Sequence, residues 1–157
     1  MTVPLAHLNL PTESDTANWA ARLAPLLAAG DTILLSGHIG AGKSAFARAL
    51  IWARIGRNVD VPSPTFTLVQ TYQADDVEIW HCDLYRLTHP DEAVELGLED
   101  AFEEAICLIE WPDRLGPLTP ANALSITLTP GDAENARQLM MHWEDPKWTD
   151  KLGAFQA

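Results

Sequence analysis

The spacing of glycine, lysine and serine between positions 37 and 44 constrains this chain more than any other feature. The segment GHIGAGKS has the pattern G-x-x-x-x-G-K-S, in which backbone N–H groups surround an anion and the lysine reaches the outer phosphates of a nucleotide. Glycines at this spacing let the backbone turn tightly and approach the anion without an intervening Cβ. We therefore predict a phosphate-binding loop made of Gly37, His38, Ile39, Gly40, Ala41, Gly42, Lys43 and Ser44.

The residues on either side of this loop fit a strand before it and a helix after it. Residues 33–35 form an apolar run, and residues 44–55 have apolar side chains at helical spacing, such as Phe46 and Leu50. A helix that starts here directs its positive end at the bound phosphates. The segment therefore predicts a strand–loop–helix unit, with the Ser44 hydroxyl available to Mg²⁺.

Length and composition fit one globular domain. The chain has 157 residues, of which 47% are hydrophobic and 20% charged, so we expect a single domain over residues 1–157 and assign no element beyond about residue 144. No apolar run approaches the length of a membrane span, and the N-terminus lacks the basic and apolar regions of a signal peptide. We expect a cytoplasmic protein whose cysteines, Cys82 and Cys107, are buried reduced thiols.

The charge balance argues against a nucleic-acid-binding surface. The chain has 22 acidic residues against 10 lysines and arginines, and its formal net charge is −12. A protein that binds nucleic acid directly normally carries a basic face, and the basic residues here are scattered. We predict no DNA partner and no tight direct contact with RNA.

Hydrophobic periodicity outlines the remaining elements. A helix is predicted in residues 12–31, with Thr12 or Ser14 as N-cap and Gly30 as terminator. Two runs, 66–72 and 77–83, alternate around a polar turn and predict a hairpin, as do the runs within 123–143. A helix with a break at Gly97 is predicted in residues 89–105, beginning at Pro90.

Residues 105–111 are almost continuously apolar, which is typical of a strand buried on both faces. The order of elements predicts an α/β fold: a single-domain P-loop NTPase-like fold with a mainly parallel central sheet, antiparallel additions and flanking helices.

Two acidic residues follow apolar strand-like runs and are candidates for a metal site. Asp83 ends one run and Glu110 ends another. In a doubly wound sheet, ligands bind at the carboxyl ends of the strands, and an acid there holds Mg²⁺ directly or through water. Both acids are therefore predicted at the metal beside Ser44.

Four further motifs give the chain a resemblance to a known family. They are SPTFTLVQTY from Ser63, HCDLYRL from His81, ELGLED from Glu95 and LIEWP from Leu108. In order and spacing they resemble the TsaE family, over residues 37–111 and less closely in the first helix and last hairpin. The resemblance implies a bacterial P-loop ATPase, weak alone and stimulated by its partners TsaB and TsaD. Its function would be formation of threonylcarbamoyladenosine beside the tRNA anticodon, with hydrolysis resetting the partner complex and tRNA contacted only through that complex.

The resemblance also implies roles for residues of this sequence. Lys43 would clamp the phosphates of ATP, Ser44 and Glu110 would form the Mg²⁺ shell, and Asp83 would be a second acid at the γ-phosphate. Thr65 would lie in a switch-like loop near that phosphate.

Two nucleotide contacts and one departure complete the comparison with the family pattern. Glu13, at the start of the first helix, and Arg137, in the last hairpin, are implied as nucleotide contacts. His38 stands where the family usually has an acid, which changes the charge beside the phosphates.

Other functions share the phosphate loop. A small-molecule kinase would need an acceptor pocket and usually an arginine-bearing lid, and no arginine-rich segment is visible. A guanine-nucleotide switch usually carries N-K-x-D, which does not occur in this chain. A nucleotide-binding interaction module that does not hydrolyse its ligand is the third alternative.

Overall fold

A seven-stranded sheet organises the protein. The computed structural model describes residues 5–37 and 41–153. The strands are β1 Leu5–Leu10, β2 Thr32–Ser36, β3 Val69–Gln73, β4 Glu78–Asp83, β5 Ile106–Glu110, β6 Leu124–Pro130 and β7 Arg137–His142. Their order in the sheet is β1-β7-β6-β2-β5-β4-β3. The four central strands β6, β2, β5 and β4 are parallel, and β3, β7 and β1 pair antiparallel at the two sides.

Helices cover both faces of the sheet. They are α1 Glu13–Leu23, α2 Lys43–Ile55, α3 Asp91–Glu95, α4 Leu98–Glu104 and α5 Pro146–Gly153, with 3₁₀ segments at Ala24–Leu26 and Pro112–Leu118. One hydrophobic cluster joins the sheet to α1, α2 and α5, and a second joins it to α3 and α4. The predicted fold class is confirmed: the core is parallel, antiparallel strands flank it, and helices lie on both sides.

Most predicted elements are present, with shifted ends. Both hairpins form, as β3–β4 and β6–β7. The first hairpin strand begins later than predicted because Leu68 has a φ of 69° after a turn, so β3 starts at Val69. Gly97 interrupts the helical segment as predicted, with a φ of 85°, but Pro90 occupies the N-cap position and the helix begins one residue later, at Asp91.

The first helix ends earlier than predicted. Thr12 is its N-cap: the side chain accepts a hydrogen bond from Asp15 N, and the Asp15 carboxylate accepts one from the Thr12 backbone N–H. Pro25 stands within the next turn, where the chain tightens into a 3₁₀ segment that ends at Leu26. The predicted terminator Gly30 therefore lies in the loop before β2 rather than at the helix end.

Two elements escaped sequence analysis. The edge strand β1 pairs with β7, and α5 lies in the segment beyond residue 144 that received no assignment. The helix packs through Trp148, which is fully buried and donates a hydrogen bond from Nε1 to Asn122 O at 2.7 Å.

The two cysteines are buried free thiols, as expected, and burial raises the pKa of Cys107 to about 12. Among the described residues, no helix is both long enough and apolar enough to cross a bilayer.

A buried carboxylate fastens α5 to the body of the protein. Asp31, the residue before β2, is 2% exposed and accepts hydrogen bonds from Lys147 Nζ at 2.8 Å and Lys151 Nζ at 2.6 Å. Ala28 N adds a third at 2.8 Å. Burial alone would raise the pKa of Asp31, but the hydrogen bonds from the two lysines and Ala28 outweigh it and lower the pKa.

We expect Asp31→Asn to lower the free energy of unfolding by about 2 kcal/mol at neutral pH, because both lysines lose their buried anionic partner. A lowered folded-state pKa stabilises the protein above the unfolded value, near 4, and this contribution disappears as the pH falls through the folded-state pKa. The difference between variant and parent should therefore shrink below about pH 4. Urea unfolding between pH 7 and pH 3 measures it, with the exposed Asp132→Asn as control. A difference that does not depend on pH would contradict this account.

Candidate nucleotide-binding site

The predicted catalytic and metal-binding residues meet at the carboxyl edge of the parallel strands. Asp83 and Glu110 are register partners at the ends of β4 and β5, and Leu35 pairs with Glu110 from β2. A cleft of about 440 Å³ opens at this edge. Its lining consists of Ala41, Gly42, Lys43, Ser44, Ala45, Ser63, Thr65, Asp83, Tyr85, Glu110 and Trp111. The location is the one that open α/β sheets use for ligands.

The ends of the loop require glycine. Gly37 has a φ of 145°, and a Cβ there would lie 2.6 Å from Leu128 O, closer than such atoms can approach. Gly42 has a φ of 101° and is the N-cap residue of α2. The predicted loop residues His38, Ile39 and Gly40 lie outside the described residues.

Lys43 is the first residue of α2 and is only 6% exposed. Its Nζ donates a hydrogen bond to Gly37 O and lies 4.1 Å from the centre of the Trp111 ring. Burial lowers the pKa of the ammonium group, while the carboxylates of Glu110, Asp83 and Asp113 oppose that shift. The lysine is thus held at the cleft among acidic groups, where an anionic ligand would meet its charge.

Ser44 and Glu110 form a hydroxyl–carboxylate pair at the floor of the cleft. The Ser44 hydroxyl donates to both carboxylate oxygens of Glu110, at 3.1 and 3.2 Å. Glu110 is 2% exposed, so the carboxylate is largely withdrawn from water. The pair offers oxygen ligands of the kind that Mg²⁺ prefers.

Asp83 is bound to the segment that carries Thr65. The Thr65 hydroxyl donates to Asp83 Oδ2 at 3.1 Å and lies 2.9 Å from the Ser63 hydroxyl. The other carboxylate oxygen, Oδ1, accepts a hydrogen bond from Tyr85 N at 3.0 Å. Thr65, which the resemblance places in a switch-like loop, is therefore hydrogen-bonded to Asp83, another predicted catalytic residue.

A second cleft, of about 350 Å³, lies on the other side of Gly42. Glu13 and Arg137, which the sequence resemblance paired as nucleotide contacts, both line it. Arg137 donates from Nε to Ala41 O at 2.8 Å, so the first residue of β7 contacts the predicted phosphate loop. The two clefts share Gly42 and Ala45 in their linings.

Two further side chains, for which no role was predicted, lie at or next to the site. Trp111, with a φ of 60°, lies between Lys43 and Tyr85, and its ring centre is 4.8 Å from that of Tyr85. His81 lies behind Glu110, with Nε2 at 2.6 Å from Oε2. The signal for His81 was the period of two within β4, which places it on the same face of the sheet as Asp83.

The acidic and hydroxyl groups at the cleft do not make an all-protein metal cage. Among residues 5–37 and 41–153, no group of three or more histidine, cysteine, aspartate or glutamate side chains is arranged to hold a metal ion. Mg²⁺ in nucleotide sites is usually held by one or two protein oxygens together with phosphate oxygens. The arrangement of Ser44 and Glu110 fits that incomplete shell.

The sheet order, the glycine-rich segment after β2 and the helix that follows it correspond to a P-loop NTPase-like fold. The model of the family described as threonylcarbamoyl adenosine biosynthesis protein TsaE matches residues 10–139. The chain belongs to the TsaE family.

Sequence and structure comparisons agree with this assignment. A Rickettsia bellii protein named tRNA threonylcarbamoyladenosine biosynthesis protein TsaE is 41% identical over 119 residues, which are 76% of this chain and 83% of the relative. A protein of the same name from Nostoc sp. is 38% identical over 141 residues, covering 85% of this chain and 83% of that one. The crystal structure of Bacillus subtilis YdiB has the same fold, with a TM-score of 0.81 at 22% identity over 99% of this chain and 97% of YdiB.

Proposed function

We propose that this protein binds and hydrolyses ATP and is required to form threonylcarbamoyladenosine next to the tRNA anticodon, acting with TsaB and TsaD. The observation that carries the proposal is the meeting of Lys43, Ser44, Asp83 and Glu110 at one cleft, at the start of α2. The names of the relatives, which concern threonylcarbamoyladenosine biosynthesis, support the biological role. Hydrolysis would reset the partner complex between rounds of modification.

Mg²⁺ would be held by Ser44 and Glu110, with Asp83 close by. The oxygen-only donor set and the hydroxyl–carboxylate contact of 3.1 Å fit a small hard cation that keeps several of its positions for phosphate and water. When bound, the metal ion would neutralise charge on the phosphates as the terminal bond breaks.

The remaining steps would fall to the protein's own groups. Lys43 would leave Gly37 O and bind the outer phosphates, because a charge-assisted contact to phosphate is stronger than one to a neutral carbonyl. Asp83 would accept a hydrogen bond from the attacking water. The Thr65 hydroxyl, which donates to Asp83 Oδ2 at 3.1 Å, would lie near the γ-phosphate, as the family resemblance implies. Glu13 and Arg137 would contact the nucleotide from the second cleft.

The deciding experiment is ATP turnover by the protein alone and with TsaB and TsaD. We expect slow turnover alone and faster turnover with both partners. Nucleotide binding without turnover under every condition would favour an interaction module. Transfer of the phosphate to a small acceptor in place of water would favour a kinase.

We further predict that the isolated protein binds tRNA weakly or not at all. Its formal net charge is −12, so like-charge repulsion slows encounter and few basic groups are available to release counterions. Filter binding at low and at physiological salt measures the affinity, with the assembled TsaB–TsaD complex as the comparison. Tight, salt-sensitive binding by the protein alone would contradict the proposal that tRNA is reached only through the complex.

A further inference from the structure

His81 is a buried polar residue within the central sheet. It lies in β4, is fully buried, and has Leu108 of β5 and Gln70 of β3 as its register partners. Ile79, two residues earlier on the same face, belongs to the hydrophobic cluster beneath α1 and α2. An apolar side chain at position 81 would pack in these surroundings without the cost of burying an imidazole.

The ring has one hydrogen-bond partner in the described part of the chain, and that partner is Glu110. Nε2 lies 2.6 Å from Glu110 Oε2, and both side chains are almost completely withdrawn from water. An ionised carboxylate can only accept, so Nε2 donates when Glu110 is ionised. Nδ1 is buried without a partner among the described residues. Among the described residues, Glu110 is therefore the group to which the His81 ring is hydrogen-bonded.

The contact restricts how Glu110 can be oriented. His81 binds Oε2 from the core side, and the Ser44 hydroxyl bridges both oxygens from the cleft side. Oε1 accepts from Ser44 alone among the described residues, so it faces the cleft with spare lone-pair capacity. A glutamate side chain has three rotatable bonds, and without the imidazole its carboxylate would be held only by a serine that must itself turn toward the metal.

We propose that His81 is a positioning residue that holds the Glu110 carboxylate in its metal-binding orientation. The inference rests on the proposed function, in which Glu110 is a ligand of Mg²⁺. His81 is behind Glu110 and does not line the cleft, so it acts through that side chain. Groups that orient metal ligands in this way commonly change metal affinity by about ten- to a hundredfold when they are removed.

The test compares three variants at position 81. His81→Gln keeps an N–H donor near the place of Nε2, His81→Asn has the same amide one methylene shorter, and His81→Leu has no donor. We expect His81→Asn and His81→Leu to raise the Mg²⁺ concentration at half-saturation by about tenfold or more. ATP affinity measured by calorimetry without Mg²⁺ should stay unchanged. His81→Gln should restore much of the Mg²⁺ affinity, which loss of packing alone would not predict.

Two measurements keep this inference separate from the proposed function. Melting temperatures without ligand identify any variant that fails to fold. If His81→Leu does not fold, the comparison of His81→Gln with His81→Asn still tests the inference. If the wild-type protein binds Mg-ATP and all three variants have the same Mg²⁺ affinity as the wild type, the role of His81 is wrong while the proposed function stands. Equal losses in the Gln and Asn variants would also overturn the role of His81. If the wild-type protein shows no Mg²⁺-dependent ATP binding, the proposed function and the inference fail together.

Discussion

Lys43→Ala should abolish productive ATP binding, with turnover reduced by at least about a hundredfold, because one preorganised donor at a developing charge is commonly worth that much. Lys43 is held at the cleft by Gly37 O and by the Trp111 ring, ready to exchange these contacts for phosphate oxygens. The free energy of unfolding should change by only about 1 kcal/mol, the usual net contribution of one hydrogen bond.

Calorimetry with Mg-ATP and a turnover assay with TsaB and TsaD measure this effect. The matched control is Arg57→Ala, which removes the same charge from the exposed residue just beyond the end of α2. The control should behave as the parent protein. Undiminished affinity and turnover in Lys43→Ala would show that the glycine-rich segment is not a phosphate-binding loop.

Changes at the two strand-end acids should separate a metal ligand from a water-orienting group. Glu110→Gln should reduce turnover and raise the Mg²⁺ requirement by about tenfold or more, since a direct ligand contributes to metal affinity. Asp83→Asn should reduce turnover as strongly but leave the Mg²⁺ requirement almost unchanged. The structure supports this ranking because Glu110 is the acid that contacts Ser44, whereas Asp83 contacts Thr65 and Tyr85 N.

Titration of Mg²⁺ at fixed ATP distinguishes the two roles. Glu99→Gln and Asp100→Asn serve as controls, because both residues are exposed on α4, which packs on the face of the sheet opposite to α2. A shift of the Mg²⁺ curve in Asp83→Asn and not in Glu110→Gln would reverse the assignment.

The glycine conformations at the ends of the predicted phosphate loop, and the start of the helix after it, were predictable because their requirements are local. Gly37 and Gly42 have positive φ values that few other residues adopt, and the next residue, Lys43, starts the helix. The same holds for β5, whose continuous apolar sequence matches a strand buried on both faces. These features depend on residues that are only a few positions apart, so they can be predicted without knowing which distant segments are neighbours in the fold.

The site beyond the loop was predictable only as a set of candidates. Apolar runs ending in an acid indicated Asp83 and Glu110, but not that β4 and β5 are neighbours with these residues in register. Hydrophobic pattern specifies which face of a strand is buried, while strand order depends on contacts between distant segments. The hydrogen bond from Thr65 to Asp83, across 18 residues, is likewise a product of that order.

The elements that sequence analysis missed have weak local signals and strong tertiary contacts. β1 forms because it pairs with β7. The helix α5 is held by the buried side chain of Trp148 and by hydrogen bonds from its two lysines to Asp31. His81 is the corresponding case within the site, since a histidine in an apolar strand is not informative until Glu110 is found 2.6 Å away. Local sequence therefore specifies the glycine-rich segment before α2 and most strands and helices. The arrangement of the acids, the support behind them and the docking of the chain ends depend on long-range burial and pairing, whose free energy becomes available only when the whole sheet assembles.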